Sequence, residues 1–550
     1  MLCCPECLVR KRRPAQLVAE AVPAPVAATA MAAPPKQRQS LKWLDVHCHV
    51  FNLADLPVAE FVEKTRLSGL AIAAAPIVWL IANFFKEQAV SADDELWQLH
   101  GHPAAIASAR LSTRDALDAM RTQAQNRLPP MRNPDSLMHD ALKEYDPKHD
   151  TTQPISDEQL NTLAEALDGD DAIQDNDYLE WITLLTKSRN DIVNLLLAQF
   201  PTGDDVMITP SMVDYNRWLG LDSTDDQSLT SQPKQLALMQ AITQRHALPV
   251  PPQGERRALL SFFVPFDPWR SIEDANVLVN LRAWIASGQA IGVKIYPPMG
   301  FAALGNADLP DDAFPDALAD LVRAKGLPSG VGAALDQEMR KLFQLCEDLD
   351  VPLMAHVADS ETIGGVMLKL PGPDYWAKAL KEFPKLRVNL GHFGGVWRFA
   401  DPSTDPVAIT YRHEAEAWAT GIVGLMGQYP NVYADFAFFD QALEQIKPGN
   451  QASQAVGFIA TMAAASPVLK QRLMFGSDWI MVGMLSAASD YAQRVMTSMN
   501  YFFGDPGVRE NLRWRNAARY LGLSPGDRTH TRIRANLGTN VDLLARFDPS

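Results

Sequence analysis

Eight short apolar runs leave this chain few folds to choose from. Each ends in polar or turn residues, and a stretch of helical character follows. They occupy 42–51, 206–214, 258–267, 290–297, 351–357, 387–394, 431–439 and 472–479. Strands buried on both faces read as near-continuous hydrophobic runs, and strands alternating with helices imply βαβ units and a parallel sheet. Eight such units predict an α/β chain folded as a (β/α)8 TIM barrel. In that fold the chemistry gathers at the C-terminal ends of the strands, so the last residues of each run are the ones to inspect.

Run one ends in Asp45-Val46-His47-Cys48-His49. Side chains alternate along a strand, so His47 and His49 share a face and Cys48 takes the other. Run four carries Lys294, run five His356, run six His392 and run eight Asp478. Any one of them reads equally well as a hydrogen-bonded structural residue. Six ionisable groups on five strand ends at one rim point instead to a shared metal ion. The chain holds its own control, because His100-Gly101-His102 has the same spacing but is followed by Pro103 and alanine-rich helical text. That pair is expected in a loop or cap. His139, His149, His246, His413 and His530 lie outside the runs and are expected at the surface or in satisfied structural roles. Cys48 is expected to pack outward between strand and helix, and Cys346 inside an amphipathic helix.

The remaining text sets the expected boundaries. Residues 1–40 read as a flexible tail, in which a cysteine cluster and Arg10–Arg13 precede an Ala/Pro/Val-rich stretch that buries too little surface to order itself. A lone C-x-x-C at Cys4–Cys7 has no second ligand pair for a zinc site. The barrel is expected from 41–54 and 201–523, a mostly helical insertion or lid from 55–200, and a C-terminal extension from 524–550. The insertion leaves the barrel just after His49, on the side where loops shape specificity. Within it, 67–85 carries no charge and suggests membrane contact, but Pro76 near its middle favours a buried or surface-docked helix. Asp168-Gly169-Asp170-Asp171 lacks the spacing of a calcium loop and reads as a solvated acidic loop. A formal net charge of −15 argues against nucleic acid as a partner. Five cysteines in 550 residues cannot staple the fold, which fits a reducing, cytoplasmic setting.

Three further motifs join the ligand pattern: Leu390-Gly391-His392-Phe393-Gly394-Gly395, Phe475-Gly476-Ser477-Asp478-Trp479 and Asn516-Ala517-Ala518-Arg519-Tyr520-Leu521-Gly522-Leu523. With them the sequence resembles the amidohydrolase superfamily from about residue 42 to 523. Within it, the sequence is most similar to the amidohydrolase-2 group that includes aminocarboxymuconate-semialdehyde decarboxylase. The resemblance implies a divalent metal, Zn2+ first and Mn2+ as the alternative, held by His47, His49, His356 and Asp478. Such an ion lowers the pKa of bound water toward about 7. Asp478 would accept the proton of that water and pass it to the leaving group, and His392 would polarise the substrate carbonyl or its oxyanion.

Lys294 stays open at this point. An amine facing a dication repels it, so this lysine is carboxylated and bridges two metals, is neutral, or is turned to substrate. In the two-metal version His356 and His392 hold the second ion. Asp214, Asp267, Asp435, Arg398 and Arg412 are candidates for substrate contact, and Trp397, Trp479 and Phe301 for an apolar pocket wall. The resemblance implies a small-molecule substrate, with self-association open. The expected reaction is hydrolysis of an amide, ester or lactone. The alternative is non-oxidative decarboxylation of an unsaturated or aromatic acid, and a metal-free membrane-associated binding protein is the reading from another class.

Overall fold

Among the described residues nine strands, all parallel, form one sheet. They are β1 (Lys42–His49), β2 (Asp205–Ser211), β3 (Leu259–Leu260), β4 (Phe263–Pro265), β5 (Gly292–Ile295), β6 (Leu353–His356), β7 (Val388–Gly391), β8 (Val432–Asp435) and β9 (Leu473–Met474). The computed structural model describes residues 40–57, 86, 88–102, 181, 183–219, 229–326, 330–358, 369–401, 403–444, 447–484 and 488–550. Pairing runs β1-β2-β4-β5-β6-β7-β8-β9, with β3 also beside β2. The last strand returns to the first. Val46 N–H donates to the Phe475 carbonyl at 3.2 Å, and Asp478 N–H to the His47 carbonyl at 2.8 Å. The molecule is a (β/α)8 barrel, as the eight runs predict. Only the third run is divided, into β3 and β4.

Helices follow the strands on the outside. Pro406–Gln428 starts where Asp405 caps the backbone N–H groups of Val407 and Ala408, with proline pre-set in the first turn. Val331–Leu349 buries Leu335, Met339, Leu342, Phe343 and Cys346 along one stripe, at helical spacing. Cys48 is fully buried in the core between sheet and helices, facing away from the barrel axis. The barrel interior is a separate cluster of Leu44, Val46, Met207, Phe263, Met354 and Met474. Trp514, Ala517 and Tyr520 cap it, together with Ile533, Leu537, Leu543 and Phe547 from the C-terminal segment. This plug closes the end of the barrel opposite the strand C-termini.

β1 departs from a regular pleat in a way that matters for the site. Asp45 pairs with Ile208 and Cys48 with Pro210, so β1 holds one residue more than β2 across this step. Leu44 and Val46 already face the interior. Unbroken alternation would therefore turn His47 and His49 outward. The bulge resets the phase and brings both imidazoles inside.

At the foot of the insertion, Arg189 ties the end of β1 to the helices Ala92–Leu99 and Arg189–Ala198. Its guanidinium donates to Asp55 at 2.6 and 3.0 Å and to Glu95 at 3.3 Å, all three side chains being buried. His100 and His102 lie exposed at the end of the first of these helices, with the His102 ring stacked on Trp97. His246 is a satisfied structural residue, bonded to the Arg256 carbonyl and to Asn190. Residues 1–39 and 67–85, the 168–171 acidic loop, His139 and His149 lie outside the described residues. Among the described residues no helix is long and apolar enough to cross a membrane.

Candidate metal centre

His47 sits at the middle of the strand ends. Its Nδ1–H donates to Asp435 Oδ2 at 2.9 Å, which leaves the Nε2 lone pair pointing into the barrel mouth. Two glycines make room for the ring. A Cβ on Gly476 would lie 2.7 Å from the His47 Cβ, and one on Gly391 would lie 3.0 Å from its Cε1. The two glycines come from the FGSD and LGHFGG motifs.

Around Nε2 the other candidates converge. Lys294 Nζ donates to it at 3.0 Å, and Asp478 Oδ1 lies 3.8 Å away. The same Asp478 oxygen is 3.6 Å from His49 Nε2. Ligand atoms of His47, His392 and Asp478 all lie within 4.8 Å of one another. The rings of His47 and His392 are 4.6 Å apart between centroids, and those of His356 and His392 are 4.4 Å apart. All six sequence-selected side chains are thus gathered in one buried volume. Asp478 (φ 56°) and His392 (φ 65°) both adopt left-handed backbone, a costly conformation for residues with a Cβ and one that clusters at functional sites.

Burial sets the charges. It lowers the pKa of His47 despite the opposing Asp435, and puts His49, His356 and His392 well below the ordinary histidine value, so all four stay neutral. Neutral imidazole is the form that binds a metal. Burial likewise raises the Asp478 carboxyl and lowers the Lys294 amine. Asp435 behaves oppositely. Burial would raise it, but the hydrogen bonds it accepts from the His47 ring and the His392 backbone hold it well below the usual carboxylate range. It also accepts from Asn389 at 2.6 Å and from the backbone N–H groups of His392 and Ala437. Asp435 is therefore a support for His47. Beside it, Asp45 accepts the Ser477 hydroxyl at 2.5 Å and the N–H groups of Ser477 and His47. Burial pushes its carboxyl up to about 7.

The donor set fits a divalent ion. Among the described residues His49 Nδ1, His356 Nε2 and Asp478 Oδ1 are buried with no hydrogen-bond partner, a costly state that coordination would relieve. Imidazole nitrogen plus one carboxylate is a zinc-type set, which manganese also accepts. The second layer is present as well, since a ligand histidine ordinarily donates its other N–H to a carboxylate.

Other mouth residues take different places. Asp214 accepts from Gln232 at 2.6 Å and Arg270 at 2.7 Å, and Asp267 caps a helix through Trp269 N–H. Arg412 donates to the Asp401 carbonyl, and Arg398 lies 4.6 Å over the Tyr411 ring. Trp397 meets the His392 ring edge-on at 5.2 Å, whereas Phe301 is buried in the main core. Two residues were missed. Asn389 steadies Asp435, and Tyr296 lays its ring 4.6 Å from His356 with its hydroxyl buried and, among the described residues, without a hydrogen-bond partner. Strand parity was the available signal for Tyr296, two residues past Lys294.

Residues 243–523, a little over half of the chain, match the family model described as amidohydrolase. No curated protein matches. Among solved structures, the chain is similar to an amidohydrolase from Burkholderia multivorans in two forms. With bound HEPES the identity is 13%, over 62% of this chain and 91% of that one, with a TM-score of 0.37. With bound zinc the identity is 12% over the same shares, with a TM-score of 0.36. It is also similar to 5-carboxyvanillate decarboxylase from Sphingomonas paucimobilis, at 15% identity over 62% of this chain and 84% of that one, with a TM-score of 0.27.

Proposed function

Because the chain belongs to the amidohydrolase family, we propose that it is a metal-dependent hydrolase that uses an activated water to attack an amide, ester or lactone carbonyl. The supporting observation is the set of unpartnered buried ligand atoms on His49, His356 and Asp478, with Asp478 beside both His47 and His49 and the His356 ring against that of His392. His47, His49, His356 and Asp478 would hold the ion. A bound dication supplies the positive charge that acidifies water and polarises a carbonyl. Asp478 takes the proton of the attacking water and returns it to the leaving group. His392, fixed by its Nδ1 contact to the Ala437 carbonyl, faces the developing oxyanion.

Lys294 decides the ion count in this reading. As an amine it donates to Nε2 of His47 in the metal-free chain and would have to turn away for that nitrogen to hold the ion. Carboxylated, it would bridge two ions, with His356 and His392 taking the second. Of the insertion, most of which lies outside the described residues, Trp181 donates to the Ile480 carbonyl two residues past Asp478.

Protein loaded with zinc or manganese is expected to cleave members of an acyl substrate panel and to place solvent oxygen in the product. Asp478→Asn should abolish turnover with the fold intact. Metal analysis, with the mass of the Lys294 peptide, counts the ions. Carbon dioxide release from unsaturated or aromatic acids without solvent oxygen incorporation would overturn hydrolysis in favour of decarboxylation.

A further inference from the structure

A cavity of about 360 Å³, lined by Tyr433, Gln471, Arg472, Asn511 and Arg519, opens at the other end of the barrel. Tyr433 is the second residue of β8, two positions before Asp435, and Arg472 immediately precedes β9. Arg519 belongs to the Asn516–Leu521 helix, part of a motif that takes no part in the metal centre. The size lies within the range of roughly 300–1,000 Å³ seen for small-molecule sites.

The lining is cationic without a compensating acid. Among the described residues no carboxylate lines the cavity, in a chain whose net charge is −15. The nearby Glu510 is paired with Arg515 at 2.9 Å. Arg472 is partly buried and Arg519 exposed, and each has Nη1 engaged. Arg472 lies 5.1 Å over the Tyr433 ring and donates through Nη1 to the Pro430 carbonyl. Arg519 donates through Nη1 to Asn516 at 3.2 Å and Asn511 at 3.5 Å. Among the described residues no hydrogen bond engages Nε or Nη2 of either arginine. Partial burial lowers the Arg519 pKa, and the neighbouring cations Arg515 and Arg472 add to that shift.

We propose that this cavity is a binding site for a small oxyanion, carboxylate or phosphate, clasped between Arg472 and Arg519. Guanidinium presents planar paired donors that match both anions. The site is separate from the metal centre and stands whether or not the hydrolase reading holds.

Titration calorimetry with inorganic phosphate and with citrate tests it, on wild type, Arg519→Gln and Lys294→Met, each checked for fold by circular dichroism. Wild type and Lys294→Met should bind one equivalent of at least one anion. Arg519→Gln should bind about tenfold more weakly or worse, as loss of a charged hydrogen bond implies. Phosphate alone, citrate alone or both binding would each support the site and identify the class. Three results would overturn it: no saturable heat from either anion up to ~10 mM, far above the range an arginine pair implies; undiminished binding in Arg519→Gln; or binding lost in Lys294→Met, which would assign the anion to the metal centre.

Discussion

The carboxylate of Asp435 lies 2.9 Å from Nδ1 of His47, and the two side chains are completely buried. The contact fixes which nitrogen of His47 carries the proton. Asp435→Asn can present its amide N–H to that nitrogen and invert the tautomer. The expected outcome is a loss of metal affinity or turnover of about 10–100-fold, with little change in secondary structure. Metal titration of the variant by competition with a chelator checks it. Unaltered affinity would show that Asp435 is only packing.

Gly476 and Gly391 should resist even a methyl group. Gly476→Ala places a Cβ 2.7 Å from His47 Cβ and 3.2 Å from Ala437 Cβ, an overlap worth about 1–3 kcal/mol. A lower Tm is expected together with a lower metal content per chain. Gly424 gives the opposite sign, because it is exposed within the Pro406–Gln428 helix and nothing among the described residues lies within 4 Å of its would-be Cβ. Gly424→Ala should stabilise by about 0.5–1 kcal/mol.

Asp45 predicts a pH dependence that comparison with Asp45→Asn isolates. The folded carboxyl holds its proton up to about pH 7, whereas the unfolded one releases it near 3.9. Between these values the folded state binds the extra proton, so this contribution to stability is complete below about pH 4 and is lost as pH rises to about 7. Urea midpoints of wild type relative to Asp45→Asn should therefore fall across that interval, by up to about 1.4 kcal/mol per pH unit. A gap independent of pH would mean that Asp45 is ionised in the folded protein.

Arg189→Met would leave Asp55 and Glu95 buried without their cation. Removing one partner of such a pair costs about 3–5 kcal/mol. The loss should be local, with faster amide exchange in 52–55 and 92–99 before any change in β5 to β8. Uniform exchange rates across the chain would refute a local role.

The barrel was legible because its strands are buried on both faces and so written as unbroken apolar runs. The six gathered side chains were legible because chemistry in this fold collects at one strand end. Alternation alone correctly set His47 and His49 against Cys48, yet it gave no sign of the bulge, since an extra residue leaves no mark in an apolar run. Asp435 was visible as a strand-end acid, but its partner is more than 380 positions away, and only the closed sheet shows that His47 claims it. Arg472 and Arg519 were similarly silent. Each belongs to a segment that sequence reading assigns to a strand start or a motif helix, and the cavity exists only once both are folded.

The additional residue in β1 divides one strand into two jobs. Below the step, Leu44 and Val46 answer to the hydrophobic plug; above it, His47 and His49 answer to charge. Sequence drift in the lower portion can thus alter how firmly the barrel holds together without rotating the imidazoles, so long as the insertion itself is kept. Deleting that single position would turn both rings toward the outer helices and silence the centre in a protein that still folds.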